Sequence, residues 1–280
     1  MTQTPELHMV GANGFPANTY QHLIDQLDCT QRHYLNLIAH PYKAGFFTWD
    51  SIANEIIHNI ETVASGPVIG IGHSNGAVTT YLASQKRPDL FSQLILIEPV
   101  FFKPVYRLAM AAMNLFKPKQ NAGHMYKQAS VRKELFDSRD HARDYFAGKS
   151  LFKEFSSESL DAYVEHGIKD IDNGCTLTFD RRVEAKIFAT LPTRVAAAKH
   201  TLPTHVLFGQ TSDLSRYLDI AYWRKNFGED SILFNPGGHL FPFEDNALFV
   251  ELLEALIHQN SAFIQQHENL FPSRQGFTSS

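Results

Sequence analysis

The pentapeptide Gly72-His73-Ser74-Asn75-Gly76 is a G-x-S-x-G pattern set between an apolar run, Val68 to Ile71, and a segment of helical period, Ala77 to Lys86. On a tight strand-to-helix turn a serine hydroxyl stands clear of the backbone and can attack an acyl carbon. Side chains two residues to either side would collide with the strand and the helix, so glycine is needed at both places, as at Gly72 and Gly76. Such a turn also aims the backbone N–H of Asn75 toward the oxygen of a tetrahedral intermediate, with the dipole of the new helix behind it. The same glycines admit two other readings. One is a turn that merely joins two elements. The other is a dinucleotide-binding turn, since Gly70, Gly72 and Gly76 give G-x-G-x-x-x-G and Glu98 ends the next strand about where a ribose-binding carboxylate would sit. That second reading would normally use the first strand of a sheet rather than the third, and it leaves the C-terminal histidine without a role.

A serine hydroxyl is a poor nucleophile near neutral pH and needs a base within hydrogen-bond reach, held in turn by a third group. Of the 14 histidines, His239 stands out. It follows a predicted strand in Asn235-Pro236-Gly237-Gly238-His239, a loop able to carry an imidazole over the C-terminal edge of a parallel sheet. His8, His33, His58, His124, His141, His258 and His267 carry no comparable local signal. For the acid the expectation is Asp213, in Gly209-Gln210-Thr211-Ser212-Asp213, just past the predicted strand His205 to Phe208. There a carboxylate would fix the histidine tautomer and stabilise the imidazolium. Asp213 could instead cap the helix that follows, and Glu98 is the reserve acid. The second oxyanion donor is expected to be the N–H of Phe15, in the turn Gly11-Ala12-Asn13-Gly14-Phe15-Pro16, which could equally be a turn that starts a helix.

Positioning these groups requires short β runs alternating with helix-period segments, the pattern of a mainly parallel sheet covered on both faces. Strands are predicted at Leu7 to Val10, Leu35 to Ala39, Val68 to Ile71, Leu94 to Ile97, His205 to Phe208 and Ser231 to Phe234. Helices are predicted through Tyr20, Leu23, Ile24 and Leu27 with Asn18 as cap, through Ile52, Ile56, Ile60 and Val63 with Asp50 or Ser51 as cap, and over Ala77 to Lys86, Leu214 to Phe227 and Asn246 to Gln259. Residues 101–199 break the rhythm, with helix-period apolar residues and no β run before Cys175. They read as a helical cap inserted into a core of residues 1–100 and 200–270, with residues 271–280 as a flexible tail.

The chain has 280 residues, 44% hydrophobic and 19% charged, which is ordinary for a globular protein with a sizeable core. The formal charge is -4 and no Lys or Arg run tracks a phosphate backbone, so nucleic acid is not an expected partner. Two cysteines without C-x-x-C spacing indicate neither a disulfide framework nor a zinc site, and no metal or cofactor is expected. Residues 1–6 lack the pattern of a secretory signal, and no stretch reaches the roughly 18 apolar residues of a membrane span, so a cytoplasmic location without stable membrane insertion is expected.

With serine, acid and histidine in that order, the chain resembles the α/β-hydrolase superfamily. Gly72-His73-Ser74-Asn75-Gly76 is similar to its nucleophile elbow, and Asn13-Gly14-Phe15-Pro16 to its oxyanion loop. Gly237-Gly238-His239-Leu240-Phe241-Pro242-Phe243-Glu244 is similar to its histidine segment. The family opens with two strands before the oxyanion loop, and only six residues precede Leu7, so the resemblance implies a mostly parallel α/β sheet that lacks its first two strands. The strand Leu35 to Ala39 would then be an edge, covered by a loop, by the cap or by a second subunit in a homodimer. The resemblance implies a serine hydrolase working through Ser74, His239 and Asp213.

Serine at this position argues against epoxide hydrolysis and dehalogenation, which in relatives need a carboxylate nucleophile. Hydrolysis of a carboxylic ester with a small to medium, largely apolar acyl or aryl group is expected, with Phe101, Phe102, Tyr106, Met110 and Phe155 among the cap residues that could line its pocket. Thioester, lactone or carbon–carbon bond hydrolysis would use the same triad, and a non-catalytic receptor could use the same pocket. The apolar stretch Val105 to Phe116 is expected to pack on the sheet domain rather than to meet lipid.

Overall fold

The computed structural model describes residues 5–42, 47–116, 123–192, 195–197, 201–267 and 269–271, with the side chains of residues 113–116 and 261 also outside the description. Of the predicted tail, residues 271–280, Phe271 is buried against the core instead of hanging free, and residues 272–280 lie outside the described residues. The chain begins β1 (Glu6–Val10), α1 (Gln21–Ile24), β2 (Gln31–Leu35), α2 (Trp49–Val63), β3 (Val68–His73), α3 (Asn75–Lys86) and β4 (Phe91–Ile97). A long excursion follows: α4 (Pro104–Phe116), α5 (His124–Ser130), β5 (Leu135–Phe136), α6 (Arg139–Ala147), α7 (Ser157–Gly167), β6 (Ile168–Ile171), β7 (Gly174–Leu177) and α8 (Arg181–Ala189). The sheet then resumes with β8 (Thr204–Gly209), α9 (Ile220–Phe227), β9 (Ile232–Asn235), α10 (Asn246–Ile257) and α11 (Ser261–Gln266).

Six strands form one sheet in the order β2-β1-β3-β4-β8-β9, and every pairing in it is parallel. The inner strands are largely apolar on both faces because helices cover both. Along β4, Leu94 and Leu96 pack with Ile52, Ile56 and Ile60 of α2, Tyr81 of α3 and Trp223 of α9. Ile95 and Ile97 point the other way, into a layer with Leu23 and Ile24 of α1 and Leu252, Leu253 and Leu256 of α10. This alternation divides the apolar residues into two layers that the sheet separates. β1 is flanked by β2 on one side and β3 on the other, so the direction of winding reverses there. A crevice opens at the C-terminal strand ends where the order reverses, and in such sheets that crevice holds the ligand.

Several boundaries differ from the sequence reading. The edge strand is Gln31–Leu35 rather than Leu35 to Ala39. It pairs only with β1 and is half exposed, so polar residues can occupy it. Its Arg32 guanidinium caps the carbonyls of Ile24, Asp25 and Leu27, and His33 pairs with Glu6 at 3.0 Å. Helix α2 is capped by Thr48, which exchanges hydrogen bonds with Ser51 in a capping box, instead of by Asp50 or Ser51. Residues 213–217 form turns ahead of α9, Leu218 bridges to Phe102, and the helix cap is Asp219. Residues 17–24 are a 3₁₀ turn running into α1, and Asn18 is not its cap.

The excursion from Phe101 to Lys199 is not purely helical. β5, β7 and β6 make a small antiparallel sheet in that order, and two of its strands precede Cys175. These strands are only two to four residues long, and β6 carries Lys169 and Asp170, which is too little for periodicity to register. The aromatic rings of Phe136, Phe146, Phe152 and Tyr163 join the α1/α10 layer of the core. Over its described side chains, residues 104–112, helix α4 does not pack closely on the sheet domain as expected. Val105 is 65% and Leu108 72% exposed, and its Arg107 is held over the Phe101 ring and against Asp219. Among the described residues no helix is long and apolar enough to cross a membrane.

Candidate active site

Ser74 sits between the last residue of β3 and the first of α3, with φ 58° and ψ -116°. A side-chain-bearing residue in the left-handed region is strained, and here the surroundings fix it. The Ser74 N–H donates to the Ile97 carbonyl at 2.8 Å, while its carbonyl accepts from Val100. Both neighbouring glycines are dictated by contact. A Cβ on Gly72 would lie 2.6 Å from the Gly76 carbonyl oxygen, and one on Gly76 would lie 2.5 Å from the carbonyl oxygens of Val10 and Gly11. The elbow therefore closes only with glycine at both places, as the spacing implied.

His239 reaches Ser74 from the loop after β9. Its Nε2 lies 3.1 Å from the Ser74 Oγ, and its Nδ1 lies 2.9 Å from the Oε2 of Glu98. Donation of the Nδ1 proton to the carboxylate leaves Nε2 free to accept from the serine hydroxyl. The loop is held by Glu244, both of whose carboxyl oxygens lie 3.1 Å from the Gly238 N–H, and burial pushes the Glu244 carboxyl up.

The carboxylate beside the histidine is thus Glu98, the reserve residue, and not Asp213. Glu98 follows β4 with φ 47° and is fully buried. Besides His239 it accepts from the Gly209 N–H at 2.5 Å and from the Ser212 hydroxyl at 2.9 Å. Asp213 is one residue beyond Ser212 and is exposed, and among the described contacts none joins it to His239. The turn after β8 directs the Ser212 hydroxyl inward onto Glu98 and leaves the next side chain facing outward. Asp213 is not a helix cap either, because α9 begins at Ile220. The same enclosure disposes of the dinucleotide reading, since a Glu98 carboxylate saturated by three protein donors is not open to a ribose.

Asn75, the first expected oxyanion donor, opens α3, so its N–H has no carbonyl one turn earlier to bond. Phe15 is different. Its N–H already donates to the Ala12 carbonyl at 3.0 Å, so the expected second donor is engaged in a turn. Its ring packs against Tyr163 and Phe243 with centroids 5.0 and 5.5 Å away.

Sequence reasoning missed His73, one of the variable positions of the pentapeptide. It is fully buried, its Nε2 lies 2.9 Å from the His239 carbonyl, and its Nδ1 lies 2.6 Å from the Tyr20 hydroxyl, which accepts from the Ala12 N–H at 3.2 Å. With Nε2 protonated, one chain of hydrogen bonds ties the oxyanion loop, the elbow and the histidine loop together. Burial holds the His73 imidazole well below its usual pKa, hence neutral, as that chain requires.

Over Ser74 lies a cavity of about 150 Å³. Trp49, Val100, Phe102, Ile187, Phe188 and Leu191 supply apolar wall, and Asn13, Asn75, Arg132 and Glu184 supply polar wall. Phe102 is therefore a lining residue, whereas Phe101 is core, Tyr106 is exposed, and neither Met110 nor Phe155 lines the cavity. Arg132 pairs with Glu184 at 2.7 Å and also donates to the Tyr163 hydroxyl, while the Asn13 amide donates to the Glu184 backbone carbonyl at 3.0 Å. Away from the cavity, Asp28, Glu254 and His258 bring ligand-type atoms within 4.8 Å of one another. Glu254 there already bonds the Asp28 N–H and pairs with His258 at the surface, and these bonds account for the grouping.

The chain matches the model of the alpha/beta hydrolase family over residues 12–252. No curated protein sequence matches it. Among solved structures it is similar to E-2-(acetamidomethylene)succinate hydrolase, with TM-score 0.67 at 18% identity, covering 91% of each chain. It is similar to the peroxisomal alpha-beta-hydrolase Lpx1 of Saccharomyces cerevisiae, with TM-score 0.67 at 15% identity, covering 94% of this chain and 80% of that one. A Mycobacterium tuberculosis esterase gives TM-score 0.64 at 17% identity, covering 91% of this chain and 86% of the esterase. At these identities the likeness is one of fold.

Proposed function

From the premise that this chain belongs to the alpha/beta hydrolase family, we propose that it is a serine hydrolase that cleaves an ester-type acyl bond through Ser74, His239 and Glu98. The observation that carries the reading is the His239 imidazole bridging the Ser74 hydroxyl and a buried carboxylate at 3.1 and 2.9 Å. In the acylation step Ser74 Oγ bonds to the acyl carbon while its proton passes to His239 Nε2. The carbonyl oxygen becomes an oxyanion that the Asn75 N–H receives. The imidazolium, held by Glu98, returns the proton to the leaving alcohol as the bond to it breaks. Water then repeats the sequence on the acyl-enzyme and releases the acid.

The small cavity favours a short acyl group, since sites for drug-sized ligands run to about 300–1,000 Å³. A thioester or lactone would pass through the same steps. Fluorophosphonate labelling tests the proposal, because the reagent phosphonylates an activated serine. The wild-type protein is expected to label and Ser74→Ala not to label. Equal labelling of both, or of neither, would overturn the assignment.

A further inference from the structure

Three polar side chains on the wall of the cavity carry buried hydrogen-bonding atoms with no partner among the described residues: Nδ2 and Oδ1 of Asn75, Nε1 of Trp49 and Oδ1 of Asn13. Asn75 and Trp49 are each only 2% exposed. Native proteins pair nearly all buried polar groups, because an unpaired one loses its hydration and gains nothing in return. Asn75 is the more telling of these, since neither end of its amide is paired. None of the other lining side chains bonds them. Val100, Phe102, Ile187 and Leu191 have no polar side-chain atoms, and the Arg132 and Glu184 head groups pair with each other.

We propose that Asn75 and Trp49 recognise a hydrogen-bonding group on the acyl portion of the substrate, so that the site prefers a short hydroxylated or amide-bearing acyl group to a plain hydrocarbon one. The inference rests on the reading of Ser74 as nucleophile. The indole N–H and the Asn75 amide N–H are donors, whereas the Asn75 and Asn13 oxygens are acceptors. A matching group must therefore both accept and donate, as a hydroxyl or a secondary amide does and as a carboxylate or an ammonium does not. Because Asn75 also offers its backbone N–H to the carbonyl oxygen, the group it recognises lies within a few bonds of the carbonyl carbon. A site built to hydrogen-bond a substrate rejects the analogue lacking that group more sharply than an apolar wall rejects one methylene.

The test compares p-nitrophenyl esters of matched length: butyrate with 3-hydroxybutyrate, and hexanoate with N-acetyl-β-alanine, each corrected for spontaneous hydrolysis. At least one polar ester is expected to exceed its hydrocarbon partner about tenfold in kcat/KM. Asn75→Leu and Trp49→Phe should each pull that ratio toward one, whatever their effect on absolute rate. The ratio, unlike the rate, is insensitive to a general loosening of the fold, and Trp49→Phe serves if Asn75→Leu does not fold. Hydrolysis of both members of each pair at equal kcat/KM would overturn the inference and leave the Ser74 assignment standing. So would a preference that both variants retain. Failure of every ester together with absence of fluorophosphonate labelling would sink the Ser74 reading, and the inference with it.

Discussion

Ser74, Glu98 and His239 each follow a strand of the parallel sheet, whereas Met125, Arg132, Leu151, Glu184 and Ile187 reach the same cavity from the segment inserted between β4 and β8. The first group is placed by backbone. Each stands on a turn at a strand end, and two of the three turns hold a side-chain-bearing residue at positive φ. The second group is placed by side-chain packing and by one ion pair on elements that the sheet does not fix. On the proposed function, changes in the sheet should alter whether the reaction occurs, and changes in the insert should alter what is bound.

The largest expected effect is at the carboxylate. Glu98→Gln should lower kcat on a simple p-nitrophenyl ester by about 10⁴, the scale seen when the corresponding acid of a serine protease is neutralised, while Asp213→Asn stays within about twofold of wild type. Steady-state kinetics on the two variants decide it, and a reversed ranking would break the assignment. On the insert side, Arg132→Met strands a Glu184 side chain that is only 11% exposed. It should cost about 3 kcal/mol of stability by denaturant titration, and should raise KM more than it lowers kcat. If kcat falls instead with KM unchanged, the division between sheet and insert fails.

Smaller still is Tyr20→Phe, which leaves the Nδ1 of His73 without its donor. A loss of about 1–3 kcal/mol in stability is expected, with a fall in kcat as the histidine loop loosens. The mildest effect concerns pH. Burial lowers His8 to about 4 and His73 well below its usual value, so both are neutral in the fold and accept protons on unfolding. The His8 contribution is complete above the unfolded histidine pKa of 6.5 and is lost as pH falls toward 4, and that of His73 is lost in the same direction. Glu55, raised to about 7 by burial, acts in the opposite sense, its cost appearing as pH rises from 4.5 to 7. The informative measurement is therefore relative: Tm of His8→Met should fall less than that of wild type between pH 6.5 and 4.5.

Much of this was legible in the residues. The elbow was, because two glycines flank the serine for reasons of local collision alone. The histidine was, because its glycine-rich loop follows an apolar strand. Asp213 misled for a related reason. It lies in the right turn at the right end of the sheet, but one position past the side chain that faces inward, and nothing local to that turn distinguishes Ser212 from Asp213. The edge strand misled because its residues need not be apolar, so the buried Ile38 and Ala39 beyond it looked more strand-like than Gln31–Leu35 itself. His73 was hidden because its value lies in Tyr20 and His239, 53 and 166 positions away.

The chain's local chemistry alone determined that a serine would be presented on a turn at the end of a buried parallel strand, because apolar runs, glycine contacts and helix starts act over a few residues. Which carboxylate meets the imidazole, whether the Phe15 N–H is already spoken for, and which polar groups beside the cavity are left unpaired were decided only when distant segments met. Those are questions of direction and distance between strand ends, and they are answered by the packing of the sheet and its insert.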